Sequence, residues 1–338
     1  MTEERFLVTG ALGCIGAWTV RQLVREGVAA FGWDLPGEPR RLRLLLTPEE
    51  MACVRVVEGD VTDLGALERA VVDLGITHVV HLAALQVPFV YADPVRGAIV
   101  DGAGTTVVLE AVRRHLDQIR GCAYASSAAV WGPASDYPPG PLADDAPHRP
   151  TTLYGVLKHA NEETARIYWQ DWRVPSVGLR PDVVYGPGRD QGMSSFPSKA
   201  ILAAAAGMSY HLPSRGRVGL QFAPDVAAAF VRAARAAGEG APAYDIGGEG
   251  AEIDDLVAVI ERIVPAARGR LTVGDGRWGG AELSGRRIDA ALGALHRTPL
   301  EEGVRTSVDM FAGAIAAGAI DAAAIVESDP LGVPAVRR

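Results

Sequence analysis

Lysine is almost missing from this chain. Of its 33 basic side chains only Lys158 and Lys199 are lysines, so arginine serves wherever a positive charge alone is needed. A lysine kept against that bias marks a place that wants a compact ammonium rather than a planar guanidinium. Cysteine is scarce too: Cys14, Cys53 and Cys122 are odd in number, scattered, and without metal-ligand spacing. That argues against a disulfide framework or a metal centre and points to a reducing, cytoplasmic setting. There is no basic run and the net charge is -8, which argues against general nucleic-acid binding. The most apolar late stretch, 312–326, is too short to cross a bilayer and is broken by Asp321. The acidic start runs straight into a strand, so no signal peptide is expected. The expected partner is a small molecule, with neither membrane nor nucleic acid. The composition is otherwise ordinary, 48% hydrophobic and 22% charged over 338 residues. That suits one large α/β unit or two closely packed lobes.

Residues 5–34 carry the clearest local pattern. The apolar run Phe6-Leu7-Val8 ends in Thr9-Gly10-Ala11-Leu12-Gly13-Cys14-Ile15-Gly16. A helical pattern follows to about Gly27, then a strand over 28–33 closed by Asp34. Strand, glycine loop, helix, strand and acid together form the context of a dinucleotide fingerprint. Glycines there give a tight turn, a side-chain-free approach to a pyrophosphate, and close helix–strand packing. The helix N-terminus adds a dipole that favours the anion. Asp34 is placed to accept hydrogen bonds from the adenosine ribose and to repel a 2'-phosphate, so NAD is expected. Arg40, Arg41 and Arg43 keep NADP as the lesser alternative. Cys14 reads as a small side chain at a variable loop position, with an activated thiolate as the sharper alternative.

The alternation continues with strands at 54–57, 78–82, 119–125 and 175–179 and helices at 64–72, 94–116 and 151–172. Such a pattern predicts an α/β fold with a doubly wound parallel (Rossmann) sheet, binding its ligands at the strand C-terminal ends. Asp60, Ala83, Ser127 and Arg180 fall at such ends. Beyond Val183 the pattern loosens into a loop over 185–190 and helices near 197–206, 225–237, 253–264 and 300–317. A β-rich excursion is expected over 207–221. The expected organisation is a dinucleotide-binding domain over 1–185 to which 222–248 returns. A smaller C-terminal α/β substrate lobe spans 186–221 and 249–330, followed by a tail over 331–338. His78 and His81 flank a strand and read as packed side chains, and no metal is expected.

Tyr154 and Lys158 share one face of the 151–172 helix, about one turn apart. An ammonium beside a phenol favours the ionised phenol, which suits proton transfer. The plainer alternative is an aromatic–aliphatic contact on an ordinary helix.

With these residues in order, the chain resembles the extended short-chain dehydrogenases, the NAD-dependent epimerase/dehydratase family, over roughly residues 5–310. The resemblance rests on Thr9-Gly10-x-x-Gly13-x-x-Gly16, Asp34, Gly59-Asp60-Val61-Thr62-Asp63 and His81-Leu82-Ala83-Ala84. It continues through Ser126-Ser127, Tyr154-x-x-x-Lys158, Arg180-Pro181-x-x-Val184-Tyr185-Gly186-Pro187 and Asp245-Ile246-Gly247-Gly248. It implies that Tyr154 is the general acid/base, that Lys158 binds the nicotinamide ribose, and that Ser127 hydrogen-bonds the reacting oxygen. The cofactor set it implies is Gly10, Gly13, Cys14, Ile15, Gly16, Asp34, Asp60, Val61, Leu82, Ala83, Ala84, Pro181 and Val184. It also implies a homodimer through the 94–116 and 151–172 helices.

The departures bear on substrate. Gln86 stands where UDP-galactose 4-epimerases carry lysine, Val183 where an asparagine amide is usual, and residues 218–225 lack the usual Arg-Asp-Phe. A diphosphate needs cations or amide donors, so these losses point to a sugar-like substrate without a nucleotide, unless Arg189, Arg215, Arg217 or Arg277 compensates. Gln86, Ser127, Ser195, Lys199 and Arg217 are the candidate substrate residues. Ala128-Ala129 replaces the acidic pair that a dehydratase would carry beside Ser127. The expected activity is NAD-dependent hydride transfer at a secondary alcohol or ketone carbon, by an oxidoreductase or an epimerase. The alternatives are a nucleotide-sugar 4-epimerase with tightly bound NAD and a non-catalytic NAD(P)-binding regulator, whose usual sign, loss of the Tyr–Lys pair, is absent.

Overall fold

The computed structural model describes residues 3–143 and 146–328; the tail expected over 331–338 lies outside the described residues. Seven parallel strands form the large sheet: β1 (Arg5–Thr9), β2 (Ala29–Asp34), β3 (Arg55–Glu58), β4 (His78–His81), β5 (Gly121–Ala125), β6 (Val177–Arg180) and β10 (Ala243–Asp245). Their order is β10-β6-β5-β4-β1-β2-β3. Both faces are covered, as a parallel sheet requires. Phe6 and Val8 of β1 join the core beneath the helices Cys14–Arg25 and Ala223–Ala236, while Leu7 joins the opposite core with Val108, Leu109 and Val112. That alternation is the period of two of a strand buried on both sides.

After Arg180 the chain leaves this sheet. Strand β7 (Val183–Tyr185) pairs in parallel with β9 (Arg217–Phe222), which pairs antiparallel with β11 (Glu249–Glu252). β8 (Tyr210–Arg215) pairs with β12 (Leu271–Arg277). Val183 and Tyr185 are buried with Phe196, Leu220 and Phe222 in a second core. Strand β10 and the helix Ala223–Ala236 lie on the large sheet and its core.

The helix expected over 94–116 is not continuous. It runs as Pro94–Gly97, a π-helical segment Ala98–Ala103, and Gly104–Arg114. The Asp101 carbonyl accepts from Thr105 Oγ1 (2.8 Å) and Asn161 Nδ2 (2.9 Å). Its carboxylate accepts from the Leu85 N–H (2.7 Å). Side-chain donors thus take up a carbonyl of the widened turn, a common setting for π-bulges. Gly104 is required at close range, since a Cβ there would sit 2.8 Å from Val61 Cγ1.

One carboxylate joins the helix Leu153–Trp172 to two strand ends. Glu162 accepts from Arg180 Nε (2.8 Å) and Nη2 (2.7 Å) at the end of β6, and from the Ser126 hydroxyl just after β5. Both members of the ion pair are buried. Removing one partner of such a pair leaves a charge without compensation. Glu162→Gln should therefore lower the unfolding free energy by about 3 kcal/mol, read as a urea-midpoint shift at unchanged slope.

Candidate active site

The glycine loop is built by close approach. Gly10 has φ +70, and a Cβ there would lie 2.7 Å from the Ala83 nitrogen. A Cβ on Gly16 would run into the Gly10 carbonyl. β1, the loop and the first helix therefore meet at a distance only glycine permits. The helix Cys14–Arg25 is capped by Gly13, which offers no side-chain hydrogen bond. Its first-turn N–H groups are thus left for an anion rather than a capping oxygen. At the end of β2, Asp34 accepts from the backbone N–H of Leu12 (2.8 Å) and of Leu35 (2.9 Å). Burial pushes its carboxyl up, opposed by those two N–H groups and by Arg41.

A second tight network supports the loop from beneath. Thr105 donates to the Asp101 carbonyl (2.8 Å), so it accepts from His81 Nε2 (3.1 Å). His81 Nδ1 is then the acceptor for the Thr9 hydroxyl (2.8 Å), whose oxygen in turn accepts from the N–H of Leu82 and Ala83 (3.2 Å each). Burial, with the charge of Lys158 adding to it, pushes His81 down to about 3. It is a neutral brace for the 82–84 backbone.

The candidate reacting side chains Ser127, Tyr154 and Lys158 stand on the opposite wall. Thr152 caps the helix Leu153–Trp172 by accepting from Gly155 N–H. Gly155 lets that helix end abut Ala129, whose carbonyl a Cβ would strike. Lys158 is 2% exposed; its Nζ donates to the Ala125 carbonyl (2.9 Å) and lies 5.5 Å from the Tyr154 ring centre. Ser127 Oγ accepts from Ala129 N–H (3.1 Å), which leaves the hydroxyl proton to donate.

One cleft of about 880 Å³ runs past the glycine loop, Asp34, Ser127, Tyr154 and Lys158. Its lining includes Gly10, Gly13, Cys14, Ile15, Gly16, Asp34, Asp60, Val61, Leu82, Ala83 and Ala84, then Gln86, Ser127, Tyr154, Lys158, Pro181 and Val184. Three of the expected substrate residues are not on it. Lys199 is buried and donates to Ser328 O (2.7 Å) and Oγ (2.8 Å), so it holds the end of the helix Ala322–Glu327. Ser195 is fully buried in the helix turn before Phe196. Arg217 opens β9 on the exposed surface against Gly250. Arg215 is likewise off the cleft, whereas Arg189 and Arg277 line it. Arg189 Nη2 donates to Ser194 Oγ (2.9 Å) and Nη1 to Gln86 Oε1 (3.4 Å), while its buried Nε has no partner among the described residues. Burial pushes the Cys14 thiol up to about 11, so it is not a thiolate.

The sequence reading passed over Asp182. It lines the cleft next to Pro181, whose carbonyl accepts from Ala128 N–H (2.9 Å), so it stands beside the Ser127 turn. The bare backbone of Gly219 makes room for its carboxylate. Burial first, then the neighbouring Asp245 carboxylate, push it up to about 7, opposed by the Gly219 N–H. An ordinary aspartate has a pKa of about 3.9. A pKa raised in the folded state gives stability that is present at acid pH and lost as pH climbs to about 7. Asp182→Asn should therefore stabilise the protein more at pH 8 than at pH 5, measured by urea unfolding at both. An equal effect at the two pH values would place the titration elsewhere.

The sequence profile of the NAD dependent epimerase/dehydratase family matches residues 6–247. UDP-glucuronate 4-epimerase 4 of Arabidopsis thaliana is 31% identical over 224 residues, 64% of this chain and 50% of that protein. The match thus spans half the length of that relative. UDP-glucose 4-epimerase of Mycolicibacterium smegmatis is 31% identical over 246 residues, 70% of this chain and 75% of that protein. The structure of UDP-glucose 4-epimerase from Thermus thermophilus in complex with NAD superposes with a TM-score of 0.76 at 26% identity, covering 92% of this chain and 99% of that one.

Proposed function

The chain belongs to the NAD dependent epimerase/dehydratase family, and on that premise we propose that it is an NAD-dependent 4-epimerase of nucleotide sugars. The observation that carries the reading is one cleft with the glycine loop and Asp34 on one wall and Ser127, Tyr154 and Lys158 on the other. The relatives named as 4-epimerases of UDP-glucuronate and UDP-glucose favour a nucleotide sugar over the free sugar expected from Gln86 and Val183. Val183 is buried in the second core and offers the cleft no donor. Arg189 and Arg277 supply cationic groups on the lining instead.

NAD, when bound, accepts and returns hydride at the carbinol carbon. Gly10 and Gly16 leave the space a pyrophosphate needs, and Asp34 sits where a ribose diol is recognised. Tyr154 takes the hydroxyl proton as the carbonyl forms and gives it back on the return step. Ser127 donates to the same oxygen, and Lys158, anchored on Ala125, supplies fixed positive charge at the phenol. Tyr154→Phe should lower kcat about 100- to 10,000-fold. The assay is conversion of UDP-glucose or UDP-glucuronate to the C4 epimer with no net NADH growth at 340 nm. Steady NADH growth with free sugars or sugar acids, and none of that conversion, would favour the nucleotide-free dehydrogenase reading.

The same reading includes a homodimer. Tyr91, Val95 and Ile99 are 74%, 71% and 50% exposed, and Leu153 and Val156 of the Tyr154 helix are 42% and 46% exposed. Apolar side chains of that size left open on neighbouring helices favour burial against a second copy. Val95→Glu should turn the dimer into monomers by light scattering, with the fold intact by circular dichroism.

A further inference from the structure

A loop from far along the chain is fastened across the glycine loop. Arg41, in the short helix Arg40–Leu45, donates through Nη1 to the Leu12 carbonyl (2.8 Å) and through Nε to the Gly188 carbonyl (2.9 Å). Its Nε and Nη2 also bond Asp190 Oδ1. Trp18 Nε1 donates to the Pro187 carbonyl (2.9 Å) from within the first helix. The far side of this loop belongs to the smaller lobe, where Gly186 N–H donates to Ser198 Oγ (3.0 Å) on the helix Phe196–Ala205. Gly186 and Gly188 have φ of +120 and +88, so the loop turns sharply enough to lie flat, with Gly188 against Arg41 and Cys14.

We infer that Arg41 is a positioning residue for the cofactor: it bolts the 186–190 strap over the phosphate loop and slows release of the dinucleotide. Leu12 sits at the centre of the device. Asp34 holds its N–H and Arg41 its carbonyl, so the ribose-recognising acid and the bolt grip one residue of the glycine loop. The guanidinium is committed to two carbonyls and a half-buried carboxylate. That commitment gives Arg41 a role other than binding a 2'-phosphate. A dinucleotide lying along Gly10–Gly16 leaves only when the strap lifts, and lifting it breaks the Arg41–Asp190 pair. The inference rests on the epimerase reading in one respect, since an epimerase must retain NADH between its two half-reactions.

The test uses the full chain, freed of nucleotide and reloaded with NADH. Release into excess ADP-ribose is followed by loss of protein-bound NADH fluorescence. Asp190→Ala and Arg41→Gln should each release NADH at least tenfold faster, while the melting temperature of the nucleotide-free protein changes little. Arg41→Lys, which keeps a donor for the Leu12 carbonyl and a charge for Asp190, should release NADH more slowly than Arg41→Gln. Release from Asp190→Ala at the wild-type rate overturns the strap while leaving the epimerase reading intact. Faster release that tracks a lowered melting temperature, with Arg41→Lys no slower than Arg41→Gln, overturns it as well. Failure of the wild-type protein to hold NADH at all overturns both.

Discussion

The bidentate pair between Glu162 and Arg180 is buried where two strand ends meet the helix that carries Tyr154 and Lys158. Tyr154, Lys158 and Glu162 follow one another at four-residue spacing, so a single helical stripe carries a phenol, an ammonium and a brace. The brace reaches Ser126, next to Ser127, and Arg180, next to Pro181 and Asp182. Three segments far apart in the chain are thereby held in one arrangement. Continuing outward, Arg180 lies 4.9 Å from the Trp131 ring and 3.5 Å from Asp245, which accepts from Trp131 Nε1. A buried ion pair is weak evidence for stability but can impose a unique geometry, and here it sets the wall on which Ser127 and Tyr154 stand.

The opposite wall is held by proximity rather than charge. Glycines let the first strand, its loop and the 82–84 backbone approach within contact, and the Thr9–His81–Thr105 chain keeps that backbone satisfied without a net charge. A neutral His81 matters because Lys158 already places a buried cation nearby. The cleft between the walls is thus polar where bonds are made and rigid on both sides, which is what orientation of two reactants needs.

The doubly wound sheet and the glycine loop closed by Asp34 were legible in the sequence because their signals are local. Gly10 to Asp34 is one strand–helix–strand unit, and Tyr154 and Lys158 are one turn apart. The losses came where partners are distant. Lys199 looked like a substrate cation because lysine is rare, yet its ammonium is used by Ser328, 129 residues away. Arg41, with Arg40 and Arg43, left NADP open as the lesser alternative, and its carboxylate partner is 149 residues along. Glu162 carries no pattern of its own, and Asp182 became visible only through Gly219 on a strand of the smaller lobe. The π-helical segment at Ala98–Ala103 broke a helix whose apolar spacing runs on undisturbed, because the break is set by Asp101, Asn161 and Leu85 coming together.

In the proposed reaction hydride, not a proton, moves at the sugar carbon, and Tyr154 handles only the hydroxyl. Turnover of UDP-glucose carrying deuterium at C4, in ordinary water and with substoichiometric cofactor, tests this most directly. With hydride transfer, the C4 epimer keeps its deuterium through many turnovers. Loss of the deuterium to water in step with epimerisation would contradict it.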